Sequence, residues 1–218
     1  MDEKSGDTVI QTPSHMALPP CLRTYFDAVL TLPPLLAGSS LIADKAWLDA
    51  FRQRAVLPLS LRYEGNTRLG FFYQWLWAQL IHHHPDYDLV AEEIQLHVDG
   101  KTLGAIDFLV ANRRSGELEH WEVAIKFYLA WEKSWPGPNA KDNLDKKAHR
   151  MQSHQLQLSE TPAYHQQCTS RFGQPTVKRL IMQGRLFEPI HGDGTGSAIA
   201  TNPTAYRGHW CYAADSTE

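Results

Sequence analysis

The sequence has few cysteines, no long apolar run and no excess of charge of either sign. Its three cysteines among 218 residues are Cys21, Cys168 and Cys211, and no Cys-x-x-Cys or Cys/His zinc spacing occurs. Neither a disulfide framework nor a zinc finger is indicated, and such sparse cysteine is typical of a reducing compartment, so we expect a cytoplasmic protein. The polar N-terminus lacks a signal-peptide apolar region, and no apolar run approaches the roughly 20 residues of a membrane span.

The motifs of several common enzyme classes are also missing. The glycines after residue 190 do not fit a P-loop or a dinucleotide-binding fingerprint, and no nucleophile elbow or Ser/Cys triad signature occurs. A net charge of −3 gives no general attraction to nucleic acid. Any contact with DNA or RNA therefore needs a local basic patch. The hydrophobic content of 43% and the charged content of 21% fit a globular protein with a substantial core.

Apolar periodicity divides the chain into a tail, a helical extension and a larger domain. Residues 1–18 are expected to be disordered, and residues 19–60 to form an extension with helices over 22–32 and 45–55. The main domain is expected over 61–218. It begins with a helix over 68–84 that is apolar on most sides, which predicts burial against a sheet.

A meander of three strands is predicted next, at 89–98, 104–112 and 118–129. Asp99-Gly100 is a strong signal for a tight hairpin between the first two strands. The later predicted elements are a helix, a short helix and a strand, at 143–158, 162–171 and 177–187. The order helix, three-strand meander, helix and strand is an α+β pattern with a mixed sheet.

The second and third predicted strands carry charge where charge is costly. Asp107 interrupts the apolar segment 103–110, and an isolated buried carboxylate costs several kcal/mol unless it is paired. Side chains alternate across a strand, so Glu122 and Lys126 share the polar face of the third strand, which either meets water or lines a cleft. The opposite face is wholly apolar and must pack against other elements, and it consists of Trp121, Val123, Ile125, Phe127 and Leu129. An acid on one strand, with an acid and a lysine on the next, is the set of side chains that a metal-dependent phosphodiesterase needs. A structural ion pair between Asp107 and Lys126 is the competing interpretation.

Several short motifs occur together in the main domain. They are Arg68-Leu69-Gly70, Leu103-Gly104 with Asp107-Phe108-Leu109, His120-Trp121-Glu122 with Lys126-Phe127-Tyr128-Leu129, Gly137-Pro138-Asn139 and His154-Gln155-Leu156. As a set they resemble the bacterial family called domain of unknown function 1853, over about 60 to 210. That resemblance implies the PD-(D/E)XK nuclease-like superfamily. It therefore implies a restriction-endonuclease-like α+β fold, with a mixed sheet of about four strands flanked by helices. The family is expected to run longer than this chain, so a shortened C-terminus is one expectation.

The resemblance also implies residue roles. Asp107 and Glu122 are the implied ligands of Mg²⁺ or Mn²⁺, and Lys126 is implied to orient or activate the attacking water and to offset phosphate charge. Gln155 is comparable to a glutamine of recombination-type members, and a core glutamine with satisfied hydrogen bonds is its alternative. The family pattern has an acid where this chain has Ala124. Glu122 lies two residues earlier, roughly 13 Å from Lys126 along the strand unless a bulge shortens the gap.

We therefore expect a Mg²⁺-dependent phosphodiester hydrolase acting on DNA or RNA. The alternative is an inactive module of the same fold that binds nucleic acid or a protein partner, because Ala124 and Gln74 stand where acids are expected. A metal-dependent hydrolase of another substrate also stays open. The stretch 126–150 is the candidate nucleic-acid track, with a solvated helix face as its alternative. Its basic and aromatic members are Lys126, Tyr128, Trp131, Lys133, Trp135, Lys141, Lys146, Lys147 and Arg150.

Overall fold

The computed structural model describes residues 20–58, 60–139, 141–191 and 199–213. The expected tail, residues 1–18, lies outside these ranges. Three helices form one layer, namely α1 (Pro20–Thr31), α2 (Lys45–Arg54) and α3 (Leu69–His82). They confirm the three helices predicted in the first part of the chain. α3 buries six of its side chains, as its apolar composition predicted.

The sheet has five strands in the order β1-β2-β3-β4-β5. They are β1 (Tyr87–Val98), β2 (Lys101–Asn112), β3 (Leu118–Leu129), β4 (Val177–Pro189) and β5 (Arg207–Trp210). The first three are antiparallel neighbours, whereas β4 and β5 run parallel to the strand before them. This arrangement confirms the α+β pattern and the mixed sheet. The expectation of about four strands is wrong, because β5 is a strand of only four residues, Arg-Gly-His-Trp, whose short sequence carries no alternation to mark it.

A helical layer connects β3 to β4. Its elements are α4 (Leu144–Ser153), a 3-10 helix (Gln155–Glu160), α5 (Pro162–Gln167) and α6 (Thr169–Phe172). The single helix predicted over 143–158 is wrong in its second part, because the chain leaves helical geometry at His154, with φ −125° and ψ −60°. After the break, Leu156 and Leu158 are buried in two different clusters. No Gly or Pro stands at the break, so tertiary packing overrides local propensity there.

Both faces of the sheet are covered. Trp121 and Val123 of β3 pack with α1, α2 and α3, whereas Tyr128 of the same strand packs with α4 on the opposite face. The apolar face predicted from the odd positions of β3 is therefore confirmed as a core face at Trp121, Val123 and Ile125. Among the helices of the described ranges, none combines the length and the apolarity that crossing a membrane requires.

Candidate active site

The ladder between β2 and β3 is short. It pairs Phe108–Ala111 with Leu118–Trp121, although both strands continue beyond these residues. In contrast, β3 pairs with β4 continuously along Glu119–Leu129. The next pair of the short ladder would be Asp107 with Glu122. The two acids thus lie where β2 and β3 separate.

The side chains of the two acids link the strands at this point. The backbone N–H of Val123 donates to Asp107 Oδ2 at 2.9 Å, and the backbone N–H of Asp107 donates to Glu122 Oε1 at 3.4 Å. Each carboxylate therefore reaches the backbone of the opposite strand. Glu122 is 1% exposed, and Asp107 is partly buried. The structure thus brings together the two residues that the sequence singled out as metal ligands.

Burial raises the pKa of both carboxyl groups. The pKa of Asp107 lies well above its usual value because the group is desolvated, and the negative charge of Glu122 adds to the shift. Desolvation likewise raises the pKa of Glu122 to about 7. Two ionised carboxylates side by side in a poorly solvated place repel each other strongly. A proton or a cation at this pair therefore lowers the free energy of the folded chain.

A row of buried polar side chains orients Glu122. His120 Nε2 lies 2.9 Å from Glu122 Oε1, and His120 Nδ1 lies 2.9 Å from Ser159 Oγ on the 3-10 helix. Burial lowers the pKa of His120 to about 3, so the ring is neutral. A neutral ring that donates from Nε2 to the carboxylate accepts the Ser159 hydroxyl at Nδ1. The row has the composition of a nucleophilic triad, but Ser159 is fully buried and out of reach of a substrate.

Replacing Ser159 by alanine is expected to lower the free energy of unfolding by about 1–3 kcal/mol, because His120 Nδ1 would be left buried without a hydrogen-bond partner. Calorimetric melting of both proteins measures the difference. Ser153→Ala is the matched control, since this hydroxyl donates to the His149 carbonyl on an exposed helix face. We expect less than about 0.5 kcal/mol for the control. Equal losses in the two variants would contradict the role given to Ser159.

Gln155 lies at the site, on the first residue of the 3-10 helix. Its side-chain amide donates to the Ala105 carbonyl on β2 at 3.3 Å, and the same side chain lowers the pKa of the neighbouring Glu122 carboxyl. The close approach of the 3-10 helix depends on Gly104. A Cβ atom at Gly104 would lie 2.8 Å from Leu158 Cδ1 and 3.6 Å from Gln155 Oε1. Gln155 therefore packs closely on β2 beside Glu122.

Lys126 lies away from the two acids. The ladder between β3 and β4 has no register shift, so no bulge shortens its distance from Glu122. Its Nζ pairs with Asp142 Oδ2 at 3.4 Å, in the loop before α4. The structural alternative, an Asp107–Lys126 ion pair, is wrong, since among the ion pairs of the described residues Lys126 pairs with Asp142.

Lys147 is a cation beside the acids that the sequence analysis placed only in the basic track. It projects from α4, whose start is fixed by the Asn143 side chain accepting two backbone N–H bonds. Its positive charge lowers the pKa of both Asp107 and Glu122. Its ammonium forms no hydrogen bond or ion pair with any residue that the structure describes. A signal was present, because Leu144, Lys147, Ala148 and Met151 have the i, i+3, i+4, i+7 spacing of one helix face.

A cleft of about 350 Å³ opens beside the acids, which we call the basic cleft. Its described lining residues are Arg68, Gly70, Phe71, Gln74, Val123, Ala124, Ile125, Lys126 and Lys147, with no carboxylate among them. Three cations thus meet from α3, β3 and α4. Gln74, which stands where an acid was expected, donates to Glu93 Oε1 at 3.3 Å. The basic cleft offers positive charge next to a pair of acids.

The track predicted over 126–150 is exposed only in part. Tyr128 and Trp135 are buried in the core under α4, whereas Trp131 is half exposed. Of these three rings, only Trp131 is therefore open to stack on a base. Lys126 and Lys147 both line the basic cleft. These two cations of the stretch therefore lie together at one cleft and do not form an extended track.

The polar face predicted for β3 is split by the layer above it. His120 and Glu122 are covered by the 3-10 helix and are at most 1% exposed. Ala124 and Lys126, farther along the same face, line the basic cleft. The expectation of a face that meets water or lines a cleft thus holds only at Ala124 and Lys126, since Tyr128 on the same face is buried in the core.

A second cleft lies near the turn between β2 and β3, away from the acids. Trp47, Phe51, Arg54, His84 and Asp86 are among its lining residues. Its charged groups are already partnered, since Arg54 donates to Asp86 and His84 Nε2 lies 3.1 Å from the Phe51 carbonyl. These satisfied groups make it a poorer ligand site than the basic cleft.

The residues present suit one kind of metal ion. Within the described ranges, no group of three His, Cys, Asp or Glu side chains is placed to hold a metal. Mg²⁺, however, keeps several waters and is held by one or two carboxylates plus substrate phosphates. Asp107 and Glu122 form such a two-carboxylate set, and a cation there would offset the charge repulsion that adds to the raised pKa of Asp107. The donor set fits Mg²⁺ or Mn²⁺.

Comparison with known proteins gives one match. The family described as Domain of unknown function (DUF1853) matches residues 16–218. The match includes both acids, the row behind Glu122 and every residue that lines the basic cleft. No curated protein and no solved structure matches the chain.

Proposed function

We propose, from the premise that this chain belongs to the DUF1853 family, that its site is that of a Mg²⁺- or Mn²⁺-dependent phosphodiester hydrolase acting on DNA or RNA. One observation carries the proposal: Asp107 and Glu122 meet at the separation of β2 and β3, beside a cleft lined by three cations. The proposal includes a restriction-endonuclease-like fold. The order α3, three-strand meander, helical layer and β4, with the acids on the second and third strands, supports that part.

Asp107 and Glu122 would hold the metal ion. When bound, it would polarise the phosphate and lower the pKa of a coordinated water. The positive charge would also relieve the repulsion between the two carboxylates. The raised pKa of each group implies that the site loses a proton as it gains the metal, so metal affinity should rise with pH.

The other residues bind and orient. Lys147, Lys126 and Arg68 place positive charge where a phosphodiester would lie, and such charge stabilises the phosphate as the bond breaks. The charge of Lys147 acts on both acids. We therefore give Lys147 the role beside the attacking water that the family resemblance implied for Lys126. His120 and Ser159 hold the Glu122 carboxylate in one orientation.

A module that binds without cutting is the second candidate. The observations that favour it are Ala124 in place of an acid and the ion pair that holds Lys126 on Asp142. Such a module would keep the basic cleft and lose metal-dependent cleavage.

Titration calorimetry with Mg²⁺ and with Mn²⁺ tests the proposal, together with cleavage of end-labelled DNA and RNA oligonucleotides. We expect wild-type binding with a Kd in the micromolar to millimolar range, and loss of both binding and cleavage in Asp107→Asn. Asp88→Asn is the control, because this carboxylate is exposed on β1 and paired with Arg113. Binding that survives in Asp107→Asn would refute the site. Metal binding without cleavage of either nucleic acid would favour the second candidate.

A further inference from the structure

We propose that the basic cleft takes a single-stranded segment of nucleic acid, with phosphates on its cations and one unpaired base stacked on Phe71. The inference rests on the proposed function in its substrate class. It adds that the substrate is single-stranded and that Phe71 is the residue that distinguishes a single strand from a duplex. Binding measured without metal separates it from the chemistry at Asp107 and Glu122.

The charge of the basic cleft is local. The whole chain carries a net charge of −3, yet Arg68, Lys126 and Lys147 line one cleft that has no carboxylate among its described lining residues. Lys147 has no hydrogen-bond or ion-pair partner in the described parts of the chain. A cationic groove of this kind follows a phosphate backbone without regard to sequence.

Phe71 gives the cleft a free aromatic face. It is 44% exposed and lines the cleft with Arg68, one turn before it at the start of α3. The next ring, Phe72, is packed against Tyr25 and Tyr63, with ring centroids 5.2 and 4.9 Å apart. Phe71 contacts no other aromatic ring of the described residues. Its neighbour Gly70 leaves open space, since a Cβ there would meet nothing within 4 Å.

A ring beside phosphate-binding cations favours an unpaired base. In a duplex each base is paired and stacked between its neighbours, so its face is closed to a protein side chain. In a single strand the face is open, and proteins that bind single strands combine aromatic side chains with a cationic groove. The cleft volume of about 350 Å³ also suits one nucleotide-sized group. These features together fit a single strand better than a duplex or an acidic protein segment.

Fluorescence anisotropy in EDTA tests the inference, because without divalent metal no cleavage intervenes. The probes are a labelled 12-nucleotide DNA, the RNA of the same sequence and the DNA duplex of that sequence. We expect at least one of the single strands to bind about tenfold tighter than the duplex, and Phe71→Ala to weaken that binding about tenfold. Comparison of the DNA and RNA single strands shows which of the two nucleic acids binds more tightly. Melting curves confirm that each variant is folded.

Two matched controls sharpen the test. Tyr206 is also 44% exposed but does not line the basic cleft, so Tyr206→Ala should leave binding unchanged. Lys147→Ala should weaken binding severalfold, whereas Lys146→Ala, an exposed neighbour on α4, should not. Equal affinity for single strand and duplex, no effect of Phe71→Ala, or no binding of any probe would each overturn the inference. Metal binding and cleavage in the earlier experiment decide the hydrolase separately.

Discussion

Replacing Glu122 by glutamine is expected to stabilise the fold and, under the proposed function, to remove nearly all cleavage. Burial raises the pKa of Glu122 from 4.5 to about 7. A difference of that size between the unfolded and folded chain corresponds to about 3 kcal/mol at alkaline pH. Glutamine keeps an oxygen that accepts from His120 and carries no charge. Under the proposed function the substitution also removes a metal ligand, so cleavage should fall about a thousandfold.

The pH dependence of this effect has a definite sign. Between about pH 4.5 and 7 the folded chain keeps the Glu122 proton that the unfolded chain releases, so wild-type stability falls as the pH rises. Asp107, whose pKa is also raised, adds a loss of the same sign. Denaturant unfolding at pH 5, 6.5 and 8 should show the Glu122→Gln variant gaining on the wild type as the pH rises.

The control for this series is Glu117→Gln, an exposed acid in the turn before β3. Its difference from the wild type should stay near zero at all three pH values. If Mg²⁺ binds as proposed, adding it at pH 8 should stabilise the wild type and leave Glu122→Gln unchanged, because a ligand that binds only the folded state shifts the unfolding equilibrium. A constant difference between Glu122→Gln and the wild type across the series would be incompatible with a raised pKa at Glu122.

Replacing Gly184 by alanine is expected to remove more than about 3 kcal/mol of stability. Gly184 of β4 pairs with Lys126 of β3 and has φ +142°, a conformation that favours glycine. A Cβ there would lie 1.8 Å from the Lys126 carbonyl oxygen and 2.9 Å from the Lys126 backbone nitrogen. No rotamer relieves a clash between two main chains, so the strands must move apart. Chemical denaturation measures the loss.

Gly100→Ala is the control that separates the stability lost through the clash from the stability lost through backbone strain. Gly100 also has a positive φ, of +74°, but a Cβ there meets nothing within 4 Å. We expect this variant to lose about 1 kcal/mol from conformational strain alone. Similar losses at Gly100 and Gly184 would mean that the pairing of β3 with β4 is not as close as described. The clash in Gly184→Ala should also displace the backbone of Lys126, which lines the basic cleft.

Local signals predicted most of the sheet and the meeting of the two acids. Asp99-Gly100 marked the hairpin between β1 and β2, and alternation marked the buried face of β3. A meander places consecutive strands side by side, so Asp107 and Glu122 were expected to be neighbours. These inferences succeeded because each depends on residues close in the sequence.

The features that the sequence did not predict depend on contacts between residues that are distant in the chain. The end of α4 at Ser153 depends on where Leu156 and Leu158 pack, and β5 is a strand because it pairs with β4. Lys126 was expected at the acids, but Asp142 holds its ammonium. The path of the chain between β3 and α4 sets that pairing, and no local pattern encodes it. Lys147 alone left a readable signal, as a lysine on an apolar helix face.

The hydrogen bonds between the two acids and the opposite strands make the site observable by NMR without a substrate. The amide proton of Val123 is donated to the Asp107 carboxylate, and that of Asp107 is donated to Glu122. Each chemical shift therefore follows the charge on one carboxyl group. A pH titration of these two resonances would follow the two acids individually, and a Mg²⁺ titration would test whether either carboxyl group exchanges its proton for a cation.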